Sequence, residues 1–237
     1  MASRKKARYS TASRTAGGRR KSRGKKGSFA KAVKKVILST AEKCWKSVST
    51  DGFVMKHDLA TQNYFWDLSG GYTTLFPAQG NSDSDRKGDE IYAQGIMLRA
   101  VLQVPFDRRN VRIKAWFVQF DNSQGDPGDK TQFFHSISNN TMIDPLQSDR
   151  FPGTRYLGMF SCRPSDSVDV TDKTILIKKW LPWKKKLHFK TDASTVPTNI
   201  KNRGAVIWCA YDTVTSSILD TVVTATEVCY TLYYRDP

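Results

Sequence analysis

VVTATEVCYTLYY, Val222–Tyr234, decides the fold. β-branched and aromatic residues fill it, and Val222, Thr224, Thr226, Val228, Tyr230, Leu232 and Tyr234 fall on one side of a two-residue repeat, opposite Glu227 and Arg235. Only an extended chain sends alternate residues to opposite faces, so this is a strand that buries one face. A second stretch, AWFVQF at 115–120, is apolar on both sides, as in a strand inside a sandwich. Working outward, further β-rich runs lie near 43–56, 60–68, 91–104, 111–121, 154–163, 173–190 and 204–213, with 222–235 as the eighth. Polar, Gly- and Asp-rich breaks separate them at Gly70–Gly71, 80–89, 121–129, 163–167 and 192–202. Eight strands with long polar loops and no repeat predict an all-β, antiparallel two-sheet sandwich of jelly-roll type. Other β-sandwiches fit this periodicity as well.

The charge is unevenly placed. The 237 residues carry 38 Lys and Arg against 22 Asp and Glu; residues 1–41 hold 14 of the bases and no acid, which leaves 24 against 22 beyond. The chain therefore reads as a nearly neutral body, 42–237, and a basic N-terminal arm, 1–41. The body is long enough to bury a sizeable core. In the arm, Arg4, Lys5, Lys6, Arg8, Arg14, Arg19, Arg20, Lys21, Arg23, Lys25 and Lys26 are spaced by Ser, Thr, Ala and Gly. Such a segment has no face to bury and is expected to be largely disordered when alone. It suits a polyanion, because each base that neutralises a phosphate releases a counterion. Arg19, Arg20, Lys21, Arg23, Lys25 and Lys26 also form a string suited to a nuclear import receptor. The plain alternative is a solubilising tail. A P-loop is excluded, since five residues separate Gly18 from Gly24 and Lys26 stands where Ser or Thr is required.

Over 28–41, Phe29, Val33, Val36, Ile37 and Thr40 recur at helical spacing while Lys31, Lys34 and Lys35 fall between them, which predicts a short amphipathic helix with a basic outer face. A second basic stretch lies in the body. ILIKKWLPWKKKLHFK at 175–190 places Ile175, Ile177, Leu181, Trp183, Leu187 and Phe189 on odd positions and Lys178, Lys184, Lys186 and Lys190 on even ones. A strand with that pattern buries one face and shows a row of ammonium groups on the other. Trp180 falls on the basic side, where it can stack on an unpaired base. A solvated strand face is the plain alternative. Arg108, Arg109, Arg112 and Lys114 form a smaller cluster that could join this surface.

Catalytic signatures are absent. His57, His135 and His188 are isolated, no zinc spacing or Gly-x-Ser-x-Gly elbow occurs, and no cofactor or metal site is expected. Cys44, Cys162, Cys209 and Cys229 read as reduced core residues. Asp83, Asp85, Asp89 and Glu90 crowd one loop, a solvated acidic loop or a cation site at a subunit contact. No apolar run is long enough to span a membrane, so no membrane insertion is expected.

QGNSDSDRKGDEIYAQGIMLRAVLQ at 79–103 resembles the segment leading into the third strand of viral jelly-roll capsid proteins, matched at Gln79, Gly80, Arg86, Gly88, Asp89, Ile91, Ile96, Leu98 and Arg99. VRIKAWFVQFDNSQGDP (111–127), RFPGTRYLGMFSC (150–162) and KTILIKKW (173–180) resemble further strands in the same order. The chain is similar to capsid proteins of small circular single-stranded DNA viruses, circovirus-like, with more distant similarity to geminivirus and satellite tobacco necrosis virus capsids. The resemblance implies a non-enzymatic homo-oligomer of about 60 copies in a T=1 icosahedral virion, assembled in the host nucleus, whose arm faces inward onto viral nucleic acid, in this family single-stranded DNA. A sulfated glycan receptor would suit the lysine row if it lay outside. A non-assembling nuclear nucleic-acid-binding protein of shuttle or movement type is the alternative.

Overall fold

The computed structural model describes residues 24–66, 75–108, 110–120, 122–135, 142–162, 171–189, 197–198, 203–213, 217 and 219–236. The chain divides into two units, Met1–Ser39 and Thr40–Pro237. In the first, helix α1 spans Gly24–Thr40. It begins four residues before the expected start, because Gly24 and Gly27 are accommodated despite their poor helix propensity. Lys25, Lys26, Lys31, Lys34 and Lys35 thus lie on it, and Phe29, Val36 and Ile37 are exposed. The arm bases Arg4 to Arg23 lie outside the described residues.

The second unit holds eight strands: β1 (Glu42–Lys56), β2 (Ala60–Trp66), β3 (Glu90–Val104), β4 (Val111–Phe120), β5 (Arg155–Cys162), β6 (Lys173–His188), β7 (Arg203–Tyr211) and β8 (Thr221–Asp236). All eight expected strands are present, with ends moved by one or two residues. They form two four-stranded antiparallel sheets, in the orders β1-β8-β3-β6 and β2-β7-β4-β5. Only β4 and β5 are consecutive neighbours within one sheet; every other connection passes from one sheet to the other. That strand order is the jelly roll, which the periodicity alone left open.

The inner faces of the two sheets make the main core. Ile96, Leu98 and Leu102 of β3, Ile113 and Ala115 of β4, Trp208 of β7 and Val228, Tyr230, Leu232 and Tyr234 of β8 are all buried within it. The expected face of β8 holds from Val228 onward; before it Val222 is buried as expected, but Thr224 and Thr226 are not. Thr226 bulges out of register with β3, whose Val101 pairs with Glu227 while the next residue, Leu102, pairs with Ala225. One inserted residue exchanges the faces, so Ala225 is buried while Thr226 is exposed and Thr224 only partly covered.

AWFVQF is apolar on both sides for two different reasons. Ala115 and Phe117 face the other sheet, whereas Trp116, Val118 and Phe120 join a second core with Ala205, Ile207 and Cys209 of β7. That second core is closed by the segment after β4. A 3-10 turn at Asn122–Gln124 leads to the short helix α2 (Lys130–Phe133), and Phe133, Phe134, Met142 and Phe151 pack onto the outer face of the sheet. Asp129 caps α2 by accepting from the Thr131 N–H at 2.9 Å. The sequence had offered 121–129 only as a loop.

The loop before β3 is pinned by Arg86, which is 0 % exposed. Its Nη1 donates to the Gly88 carbonyl at 2.6 Å and lies 3.5 Å from Asp89, and its guanidinium sits 4.3 Å from the centre of the Phe189 ring. Arg86→Ala should therefore cost about 2–4 kcal/mol from the lost cation–π and charged hydrogen bond, read as a lower urea midpoint. Nearby, burial pushes the Cys44 thiol and the Tyr234 phenol up from their ordinary values of 9.0 and 10.0. Both groups ionise in the unfolded chain before the folded one. Their contribution to stability should be constant below about pH 8.5, then fall as pH rises through the unfolded values. Tyr234→Phe should flatten the loss above pH 10 in urea titrations, while forfeiting about 1 kcal/mol for the hydrogen bond to the Asp85 carbonyl, 2.8 Å long.

Candidate nucleic-acid interface

Strand β6 is the edge of the first sheet, and its alternation is as the sequence demands. Ile177, Leu181, Trp183, Leu187 and Phe189 are buried, while Lys178, Trp180, Lys184 and Lys186 are exposed. Lys190 lies outside the described residues. The row is not an even line of free charge. Lys186 forms an ion pair with Glu90, which also accepts from His188 Nδ1 at 2.7 Å, and the hydrogen bond from Lys186 holds the Glu90 carboxyl below its usual range. A bulge interrupts the strand, with Lys185 opposite Ala93 but Pro182 opposite Gly95. Lys184 sits in it at φ 52°, in the left-handed region that disfavours side-chain-bearing residues. Among the described residues, Lys178 and Lys184 have no carboxylate within ion-pair distance.

Trp180 reaches over β3 and packs against Tyr233 of β8, ring centres 5.6 Å apart. Gly95 makes this possible: a Cβ there would stand 2.5 Å from Trp180 Cζ2 and 2.7 Å from the Leu181 carbonyl. Tyr233 in turn pairs across the strands with Trp45 of β1. Neither Trp45 nor Tyr233 is marked by its own segment of sequence, since only the strand order sets them beside Trp180. On the same face, register places Lys43, Arg235, Tyr92 and Lys186 in one row and Ser49, Cys229, Arg99 and Lys178 in another.

The smaller basic cluster does not join this surface. Arg112 and Lys114 lie on β4 in the other sheet, with side chains on that sheet's outer face. Lys114 Nζ donates to the Met142 carbonyl, and burial pushes its ammonium down from the usual lysine value. Arg108 is held 3.4 Å from Asp220 and 3.8 Å from Asp212, and Arg109 lies outside the described residues. A cavity of about 450 Å³ beside Arg112 is lined also by Asn110, Ser161, Cys162 and Thr213.

Among the described residues no three His, Cys, Asp or Glu side chains converge on a metal position. Asp85 accepts from the Ser82 hydroxyl at 2.6 Å and closes its own loop, Asp89 meets Arg86, and Glu90 meets Lys186 and His188. All four cysteines are free thiols, with Cys44 and Cys209 buried. No described helix is long and apolar enough to cross a membrane.

No family model matches the chain, and no curated protein matches it. Among solved structures, the T13 viral particle of infectious bursal disease virus is similar at 10% identity and a TM-score of 0.33, over 83% of this chain and 36% of that one. The structure of the Gx strain of infectious bursal disease virus gives 11% identity and a TM-score of 0.31, over 82% and 36%. This chain thus spans about a third of the length of those chains.

The ion pairing ranks the lysines. For single strands each phosphate contact contributes about −0.7 to the slope of log affinity against log salt. If this face takes phosphates, Lys178→Gln and Lys184→Gln should each make the slope shallower by about that amount. Lys186→Gln should change it less, because Glu90 already balances that charge. Titrating an oligo(dT) probe at four salt concentrations checks the order.

Proposed function

We propose that this chain is the capsid subunit of a small virus: it self-assembles into a closed icosahedral shell and packages single-stranded DNA through its basic arm. One conjunction carries the reading. A jelly-roll body with almost balanced charge is joined to a segment of 14 bases and no acid. A balanced body can pack against copies of itself without self-repulsion, while the arm keeps its charge for a polyanion. On the 60-copy shell that the resemblance implies, 60 × 14 gives about 840 arm charges for the genome. The bases at 19–26 would carry the subunit into the host nucleus through an import receptor, and the virion is the final location. No catalytic role is assigned. The second reading, a non-assembling nuclear nucleic-acid-binding protein, shares the string RRKSRGKK at 19–26 and differs in what the body does.

Electron microscopy of the purified, nuclease-treated full chain separates the two. Closed shells with protected nucleic acid are expected; monomers or dimers at every salt concentration would overturn the capsid reading. Removing residues 1–41 should leave a folded β body and abolish packaging and nuclear accumulation, with empty shells still able to form. Packaging as complete as the full chain's would remove the arm's assigned role.

A further inference from the structure

We propose that the outer face of the β1-β8-β3-β6 sheet is a base-stacking platform for unpaired nucleotides, with Trp45, Tyr233 and Trp180 as its stacking band. The inference deepens the nucleic-acid part of the proposed function and rests on it; it does not require assembly.

Trp45 is 51 % exposed and Trp180 42 % exposed, although both are among the largest apolar side chains a chain can bury. They belong to strands separated by β8 and β3, and Tyr233 lies between them, paired with Trp45 and in ring contact with Trp180. The result is one aromatic band across the sheet. At the spacing of about 4.8 Å between strands, four strands are about 14 Å wide, enough for more than one base laid flat.

The rows beside the band make its occupant anionic. On one side, Lys43 faces Arg235 across β1 and β8. On the other side, past Ser47, Thr231 and Met97, Arg99 faces Lys178 across β3 and β6. Arg99 Nη1 is steadied by Thr231 Oγ1 at 3.2 Å, and Arg235 Nη1 by the Ala41 carbonyl at 2.9 Å. Outward rows on a strand lie two residues, about 7 Å, apart. Bases on the aromatic band therefore leave their phosphates within reach of guanidinium and ammonium groups. This combination of π-faces and flanking cations suits single strands of any sequence. A duplex hides its base faces, so it can use the cations alone.

Gly95 ties the band to the backbone. With any larger residue there, the Trp180 ring could not lie across β3 to meet Tyr233.

The test compares a (dT)12 strand with an abasic 12-mer of the same phosphate count, using the full chain. The arm's charges act on both probes and cancel in the ratio. The parent chain should prefer (dT)12 by at least 10-fold, since each stacked base contributes about 5- to 150-fold. W45A/W180A should bring the ratio close to one and leave the salt slope unchanged, while W45F/W180F should restore most of the preference. If the double alanine variant fails to fold, W45A alone, at the exposed edge strand, should still lose several-fold. An uracil strand, (rU)12, asks whether the platform separates DNA from RNA; equal binding is expected from stacking, and a preference that survives W45A/W180A would count against it.

Two results would overturn the inference. One is equal affinity of the parent for base-bearing and abasic strands. The other is protection of Trp45 and Trp180 from acrylamide quenching in shells assembled without nucleic acid, which would make the band a contact between copies of this chain. Shells with no base preference would sink the platform and leave the capsid reading standing. Base preference without shells would do the reverse.

Discussion

Trp208 lies at 0 % exposure between the two sheets, with the Phe53 ring 6.2 Å away, and the placement of the rest of the body follows from closing the sheets around it. A sheet has two faces, and burying one fixes the parity of every strand. Ile96 and Leu98, Ile113 and Ala115, Val228 and Tyr230 must all point inward together, so Lys178 and Trp180 must point out. Register transmits this constraint, because a slip of one residue would exchange the whole inner set for the outer one. The bulges at Thr226 in β8 and between Ala93 and Gly95 in β3 are the places where the exchange happens locally. Each changes which face a short run presents without disturbing the core beyond it.

Charge follows a separate logic from burial. The core excludes charges that lack partners. Those that are buried are held: Arg86 by the Gly88 carbonyl and Phe189, and Asp58 by Lys130 at 2.6 Å. Surface lysines have no such obligation, and the body balances most of its bases with acids. Of the net charge of +16, +14 lies in the first 41 residues. The fold and most of the net charge are thus encoded in different parts of the chain.

The fold was legible because alternation is a local signal. Ile175 to Phe189 reads as a half-buried strand from its own residues, and so does Val228 to Tyr234. The long-range consequences were less visible. The bulge at Thr226 depends on its mismatch with Val101, 125 residues away, and no periodicity in β8 announces it. The second core needed the knowledge that Phe133, Phe134 and Phe151 return to cover β4; from sequence, the apolar outer side of AWFVQF could only be called buried. At the site, Trp180 was readable beside its lysines. Trp45 and Tyr233 were not, because what qualifies them is adjacency across strands. Conversely, the sequence set Arg112 and Lys114 beside the lysine row in type and charge, and the strand order puts them on the other sheet.

The two outer faces are treated differently, and this asymmetry bears most on function. On the β2-β7-β4-β5 sheet, Trp116, Val118 and Phe120 point outward but meet the aromatic rings of the following segment, with Trp116 edge-on to Phe133 at 5.7 Å and to Phe134 at 5.5 Å. An apolar strip of that size left in water would invite association, and the chain covers it with its own loop. On the other sheet no described segment of the second unit plays that part. Trp45, Trp180 and Leu176, the last 77 % exposed, remain in solvent, the tryptophans between the Lys43–Arg235 and Arg99–Lys178 rows and Leu176 in the row of Val101 and Glu227. The same unit that closes one apolar face leaves an aromatic band on the other between two rows of cations, with Glu227 in the row beyond. Exposed aromatics cost solubility unless something external covers them, and the cations flanking Trp45 and Trp180 are what the proposed stacking platform draws on.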